Sequence, residues 1–387
     1  MAEKITAVNG EILKWARIES KTPLEYVEKK FKNIHKWENG DDYPTYAQLK
    51  MLGDYYRKPI AVFFFPEPPM LRNLPSSFRT LPDIASSVIN RELVKIIDWA
   101  RVMQINLYEM NDEINPSINQ LVHFNFDLSN LNTTAKQLRE LFKANLSIQK
   151  KFSKPFDAFE FWRDCFHITG VYIFKEAFKN NDVSGFCIYD DVFPIICINN
   201  TLSPSRQIFT LFHEAYHLIH KIGGIDLLDD RKLGTKYYDG YEIEVACNQF
   251  AGEFLVPTED FVIELREIGE VNNNAVEQLA KMYSVSREVI MRKLLNIGRI
   301  NRSTYEDKRN EYNQDWFRNN EDDKNKKSKS TGNYFATQLT YKGRQYTELA
   351  FNGYYAQKYN ITQLAHYMGM KIQSVQTIAT QKGWGVL

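Results

Sequence analysis

The sequence predicts an α+β protein, mostly helical, with a small antiparallel sheet, a helix carrying an HExxH motif, and helix-turn-helix-like units flanking that core. Three observations carry this. Apolar residues recur at helical spacing through both ends of the 387-residue chain. Short β-branched and aromatic runs, VYIF, GFCIYD and FPIICIN, cluster between 171 and 199 with turn residues between them. Directly after them, SPSRQIFTLFHEAYHLIHKIGG reads as a helix: Ser203 caps, Pro204 starts, and Gly223 and Gly224 end it.

Taken in order, residues 1–69 read as a helix-turn-helix-like domain of short helices. Asn9 caps EILKWAR, with Ile12, Leu13 and Ala16 on one face. Pro23 opens TPLEYVEKKF, Gly40 stops KNIHKWENG, and Pro44 opens PTYAQLKMLGDYY. IAVFFFPEPP closes this domain as an apolar strand or packed arm. Residues 70–155 read as a helical linker region, in which RELVKIIDWARVMQINLYEMNDE and KQLRELFKANL are amphipathic helices. Residues 156–316 form the core: DAFEFWRDCFHITG, the strands, the HExxH helix, then EIEVACNQFAGEFL stopping at Pro257 and further helices. FRNNEDDKNKKSKSTGN, 317–333, is polar and reads as a flexible linker. Residues 334–387 form a small helical C-terminal unit.

Composition excludes some classes. Lys and Arg number 49 against 48 Asp and Glu, so no overall field draws the chain to nucleic acid or membrane. No apolar run reaches the roughly 18 residues that span a bilayer, and the N-terminus carries no apolar leader core. The four cysteines, Cys165, Cys187, Cys197 and Cys247, form no CxxC pair and read as small core residues in a reducing, cytoplasmic setting.

The chemistry sits in HEAYH. Side chains four apart on a helix share a face, so His213 and His217 can turn two imidazole nitrogens to one ion. Glu214, rotated about 100° away, suits a general base beside that ion. Zinc takes nitrogen and oxygen donors and leaves one position open when catalytic; manganese or iron also fits. Phe209, Leu211, Phe212, Leu218 and Ile219 place the motif in a core, where unligated imidazoles are costly. The third ligand should come from a neighbouring element. His220 turns aside on the same helix and suits a helix-end hydrogen bond. Glu242, Glu244 and Glu253 lie on the next helix; Glu244, one turn from Asn248 on one face, is the choice.

HEAYH together with EVACNQFAGEFLVP resembles the ImmA/IrrE family of zinc metallopeptidases, which joins HExxH to a downstream E-x-x-x-N-x-F-A-x-x-[LF]-L-x-P helix. The likeness extends over about 70–310, through VSGF, PIICIN and VSREVIMRKLLNIGRINRSTY. It implies a zincin-like core, zinc held by His213, His217 and Glu244, and Glu214 as catalytic acid/base. It also implies an intracellular endopeptidase whose protein substrate is a regulator such as a repressor or a neighbouring-gene partner.

The first 65 residues resemble the phage-repressor type of helix-turn-helix domain, a route to DNA. Between VEKKF and KNIHKWENG there is almost no room for a full recognition helix, which favours packing or a protein partner over base reading. QLAKMYSVSREVI and ITQLAHYMGMKIQSV also have helix-turn-helix rhythm, at Ala280, Ser284 and Ile290 and at Ala365, Gly369 and Val375. The rival functional reading is a non-enzymatic DNA- or partner-binding regulator, an antitoxin or transcription factor, that retains the metal fold. Glu214 weighs against it, because a structural metal site needs no carboxylate beside it.

Overall fold

The computed structural model describes residues 4–20, 22–56, 58, 60–67, 91–178, 182–227, 241–312, 314 and 334–382. The expected linker at 317–333 lies outside them. The chain divides into two units, 1–75 and 76–387. No helix among the described residues is long and apolar enough to cross a membrane.

The first unit holds α1 (Gly10–Glu19), α2 (Leu24–Lys30), α3 (Ile34–Asn39) and α4 (Tyr46–Tyr56). Asn9 caps α1 by accepting from the Glu11 amide, and Gly40 ends α3 at φ 79°, a left-handed turn that glycine adopts without strain. Ile12, Leu13, Ala16, Val27, Ile34, Trp37, Leu49 and Leu52 bury against one another. Arg17 holds Glu38 through both guanidinium arms, 2.7 and 2.8 Å, on the edge of that core. IAVFF is a 3-10 turn, Ile60–Phe64, and not a strand: Phe63 is buried, its carbonyl accepts from the Asn9 amide, and no other strand is there to pair with it among the described residues.

The second unit opens with α5 (Arg91–Met110), α6 (Leu131–Leu141), the single turn α7 (Leu146–Gln149) and α8 (Pro155–Ile168). Strands β1 (Tyr172–Glu176), β2 (Val183–Ile188) and β3 (Ile195–Asn199) follow, then α9 (Pro204–Ile219) and β4 (Gly224–Leu227). Helices α10 (Tyr241–Leu255), α11 (Thr258–Ile268), α12 (Asn273–Tyr283), α13 (Arg287–Asn296) and α14 (302–312) complete the core. Four more follow: α15 (Tyr334–Lys342), α16 (Arg344–Tyr355), α17 (Ile361–Met368) and α18 (Ile372–Lys382).

The sheet runs β1-β3-β2-β4 and is mixed, which corrects the antiparallel expectation. β2 pairs antiparallel with β3 and with β4, but β1 pairs parallel with β3, Tyr172 opposite Ile195 through Glu176 opposite Asn199. The short run between β1 and β2 does not close a hairpin. β3 lies between β1 and β2 in the sheet, so β2 forms part of the crossover that the parallel β1–β3 pair requires. The fourth strand had no sequence signal, because Gly223 and Gly224 read as the end of a helix. That helix stops earlier, at Ile219, and Gly224 opens β4.

Both sheet faces are covered, and the strands alternate between two apolar clusters. Ile173, Cys187, Ile196 and Ile198 join Trp162, Phe212, Phe250 and Phe254 on the side of α8, α9 and α10. Tyr172, Phe174, Phe186, Ile195 and Cys197 join α5 and the C-terminal helices on the other side. Arg163, on α8, is completely desolvated and donates to the Ile173, Thr340 and Tyr341 carbonyls, tying the last turn of α15 to β1.

Candidate metal centre

The site lies where α9 crosses α10, with the sheet beneath. Ser203 caps α9 by accepting from the Arg206 amide, and Pro204 sets its first turn. From Gln207 to Ile219, α9 is buried except at Phe209, because it runs through the middle of the larger apolar cluster. Phe212 stacks on Phe254 of α10 with centroids 4.0 Å apart, and Tyr216 stacks on Phe250 at 4.6 Å. These two aromatic pairs fix the register of one helix on the other, and thereby the polar groups between them.

His213 and His217 are each 1% exposed, and Glu214 is fully buried. The Nε2 atoms of His213 and His217 stand 3.1 and 3.4 Å from the two carboxylate oxygens of Glu244. The helix spacing predicted for the two imidazoles and the choice of Glu244 thus place all three groups together. Burial alone would raise the Glu244 carboxyl; the imidazoles facing it outweigh that and hold it well below the ordinary carboxylate range. His213 Nδ1 faces Asn248 Oδ1 at 3.1 Å, which fixes the tautomer that turns Nε2 toward Glu244.

These residues fit a divalent ion. Donors about 2.0–2.1 Å from a tetrahedral zinc lie about 3.3 Å from one another, and the two nitrogen–oxygen separations, 3.1 and 3.4 Å, bracket that spacing. Neither ring nitrogen of His217 makes a hydrogen bond among the described residues, its approach to Glu244 being off the hydrogen-bond direction. A buried imidazole with no hydrogen bond costs on the order of 1–3 kcal/mol, and coordination removes that cost.

Cys247 complicates the donor set. Its Sγ and one ring nitrogen from each of His213 and His217 all lie within 4.8 Å of one another. A thiolate and an imidazole sharing one zinc stand about 3.6 Å apart, so that limit is looser than the Glu244 distances, which match coordination directly. Cysteine was read as core filling; all four cysteines are buried and none forms a disulfide.

The other candidates fall away from the centre. Glu242 is exposed. Glu253 accepts from the Thr258 amide and hydroxyl, 3.0 and 2.6 Å, and pairs with Lys293 at 2.5 Å, so it caps α11 instead. His220 ends α9 with its ring against Tyr216, and its Nε2 finds no hydrogen bond among the described residues, contrary to the helix-end bond expected of it. Tyr216 is 3% exposed and packs on Phe250. Glu214 turns toward β2, where its charge and hydrogen bond reinforce the effect of burial in pushing the Cys187 thiol well up.

One positioning residue escaped the sequence reading. A Cβ on Gly224 would fall 2.4 Å from His217 Cδ2, so only glycine lets β4 lie against that imidazole. The signal was the GG pair itself, which helix termination explained equally well.

Comparison with known proteins bears on the same region. Residues 167–295 match the IrrE N-terminal-like domain. This stretch is similar to the ImmA/IrrE metallopeptidases. Within this chain, 105 residues are 36% identical to the radiation response metalloprotease IrrE of Deinococcus radiodurans, covering 25% of this chain and 30% of that protein. The corresponding protein of Deinococcus deserti is 35% identical over 105 residues, 25% and 34% of the two chains. The match to these curated relatives therefore spans only about a third of their length. A Mycobacterium tuberculosis transcriptional regulator superposes at a TM-score of 0.29 and 14% identity over 50% of this chain and 52% of that one, too loosely to carry an argument. The ImmA/IrrE match contains the whole of α9 and α10, and so every residue at the centre.

Proposed function

We infer that the chain is a zinc-dependent endopeptidase whose ligands are His213, His217 and Glu244 and whose acid/base is Glu214. The observation that carries this is the pair of 3.1 and 3.4 Å separations between the two Nε2 atoms and the Glu244 oxygens. A divalent ion held there supplies water of lowered pKa and polarises the scissile carbonyl. The chain's own groups do the rest. Asn248 holds His213 in the ligating tautomer. Gly224 lets β4 support the His217 ring. Glu214, beside the ligands on α9, takes the proton of the attacking water and returns it to the leaving amine nitrogen. Burial of all three polar residues of the motif keeps bulk water from competing for the charges.

The substrate is a regulatory protein such as a transcriptional repressor, the class that the family resemblance implies. The test is to incubate metal-loaded protein with the repressors encoded beside its gene and to look for one discrete cut. Glu214→Gln, at unchanged metal content, is expected to lose cleavage by about 100-fold or more. If that variant cuts as well as the parent, the endopeptidase assignment fails.

A further inference from the structure

Helices α16, α17 and α18 build a three-helix unit whose last two members meet at a tight turn. α17 starts on a capping box between Asn360 and Gln363 and ends on Gly369 at φ 58° and ψ 37°. Met370 and Lys371 complete the turn, and α18 starts at Ile372. Leu364, Ala365, Met368, Val375, Ile378 and Ala379 are buried among these helices and their neighbours. Small Ala365 permits close helix contact, Gly369 takes the left-handed turn, and Val375 anchors the second helix from within. Two short packed helices joined by a left-handed residue are the local pattern of a helix-turn-helix, and they lie in the same unit of the chain as the metal centre.

The same turn occurs at Ser284, φ 57° and ψ 36°, between α12 and α13. There the second helix is spent on packing. Arg287 covers the Tyr312 ring at 4.3 Å, and Arg292 covers Tyr305 at 4.9 Å while pairing with Glu288 at 3.5 Å. α18 differs. Ile372 is 39% exposed, Gln373 and Thr380 are exposed, and Gln376 and Thr377 are half-buried on the same side. Lys371 is exposed at the head of the helix. Residues 349–387 contain no aspartate or glutamate, in a chain that has 48. Compensated cations do not enter the argument: Lys358 pairs with Asp112 and Arg344 with Asp164.

A helix face of amides, hydroxyls and one aliphatic group, with a lysine at its N-terminal end and no carboxylate, has the chemistry of a base-edge reader. Glutamine amides match adenine in the major groove, aliphatic groups meet thymine methyls, and lysine meets phosphate. A protein-binding hot spot would instead present aromatic or arginine anchors, and no residue of the exposed α18 face is either. We propose that α17 and α18 bind double-stranded DNA, with α18 in the major groove, Gln373 and Gln376 toward base edges and Lys371 on a phosphate. The peptidase would then act while its own chain is docked on the duplex.

The test uses the full-length protein and a fluorescein-labelled 30-base-pair duplex pool of randomised sequence at low salt, read by anisotropy, followed by selection of the bound fraction. Binding is expected, weakening steeply as salt rises, with a selected sequence preference. The surface variant Lys371→Glu/Gln373→Glu is expected to bind about tenfold or more weakly with an unchanged melting temperature. A control reversal in the first unit, Lys29→Glu/Lys32→Glu, is expected to leave the selected preference intact. Absence of duplex binding, equal binding by the α18 variant, or loss of binding and preference only in the first-unit control would each overturn the proposal. So would a melting temperature lowered in the α18 variant together with binding fully restored in Lys371→Gln/Gln373→Ala.

Discussion

Asn248 Oδ1 stands 3.1 Å from His213 Nδ1, across the gap between α10 and α9. With Asn248 Oδ1 accepting from Nδ1–H, the lone pair of Nε2 is available to an ion held between His213 and Glu244. Replacing Asn248 by Ala is expected to lower zinc affinity by about 10- to 100-fold, because an unsupported imidazole rotates and changes tautomer. Asp at the same position keeps an acceptor and is expected to retain affinity. Titration against a chromophoric chelator measures both.

Glu244 and Cys247 make opposite predictions. Both lie on α10 near the imidazoles: the Glu244 oxygens stand 3.1 and 3.4 Å from the two Nε2 atoms, and the Cys247 Sγ lies within 4.8 Å of a ring nitrogen of each. Glu244→Ala is expected to lose stoichiometric metal, while Cys247→Ser keeps it. Cobalt substitution gives an independent reading: a ligating thiolate adds a strong near-ultraviolet charge-transfer band, and none is expected.

Gly224→Ala tests the floor of the site. The added methyl would meet His217 Cδ2 at 2.4 Å and Cγ at 2.6 Å, so either the ring or β4 must move. The expected result is a metal affinity lower by about tenfold and a stability loss on the order of 1–3 kcal/mol. Chemical denaturation of the metal-free protein separates the second effect from the first.

His167 gives the fold an acid weakness. Burial first, and then the nearby Arg344 and Arg163 charges, depress its imidazole from 6.5 to about 4. The folded state therefore refuses a proton that the unfolded chain accepts. The resulting stability is full above the unfolded value and is lost as pH falls from about 6.5 toward about 4. After a discount for partial solvent screening, the loss is on the order of 2 kcal/mol. His167→Phe keeps the ring contact with Tyr172, 4.9 Å in the native protein, and is expected to flatten this pH dependence in urea titrations at pH 7.5 and pH 5.

Arg163 joins the C-terminal helices to the sheet. It donates to Ile173 at 3.0 Å from Nε, and to Thr340 and Tyr341 at 2.8 and 3.0 Å. Arg163→Met leaves those carbonyls unsatisfied and is expected to cost on the order of 3 kcal/mol. Hydrogen exchange at 334–342 should accelerate before exchange in α9 does.

The sequence carried the metal centre further than the sheet. A helix turns about 100° per residue, so i and i+4 spacing placed His213 and His217 on one face without knowledge of the fold. The choice of a third ligand depended on a packing partner: Glu244, chosen for its place one turn from Asn248 and by the family motif, is the carboxylate that lies against the two imidazoles. Strand positions were legible from β-branched runs, but strand order was not, because it depends on which edge a passing chain leaves open. β4 was missed for a similar reason: Gly224 looks alike as a helix stop and as the place where a strand must clear a ring. IAVFF left a strand and a packed arm both open, because an apolar run of that length packs equally well as a 3-10 turn, the form it takes with Phe63 buried. The face of the sheet taken by 334–382 depended on Arg163, whose partners lie more than 170 residues along the chain.

The most direct measurement is metal content by mass spectrometry of the protein and its Glu244→Ala and His217→Ala variants, each dialysed against the same zinc-buffered solution. One equivalent in the parent and less than about a tenth in both variants is the result expected of three donors sharing one ion. A full equivalent retained in Glu244→Ala, or none in the parent, would contradict it.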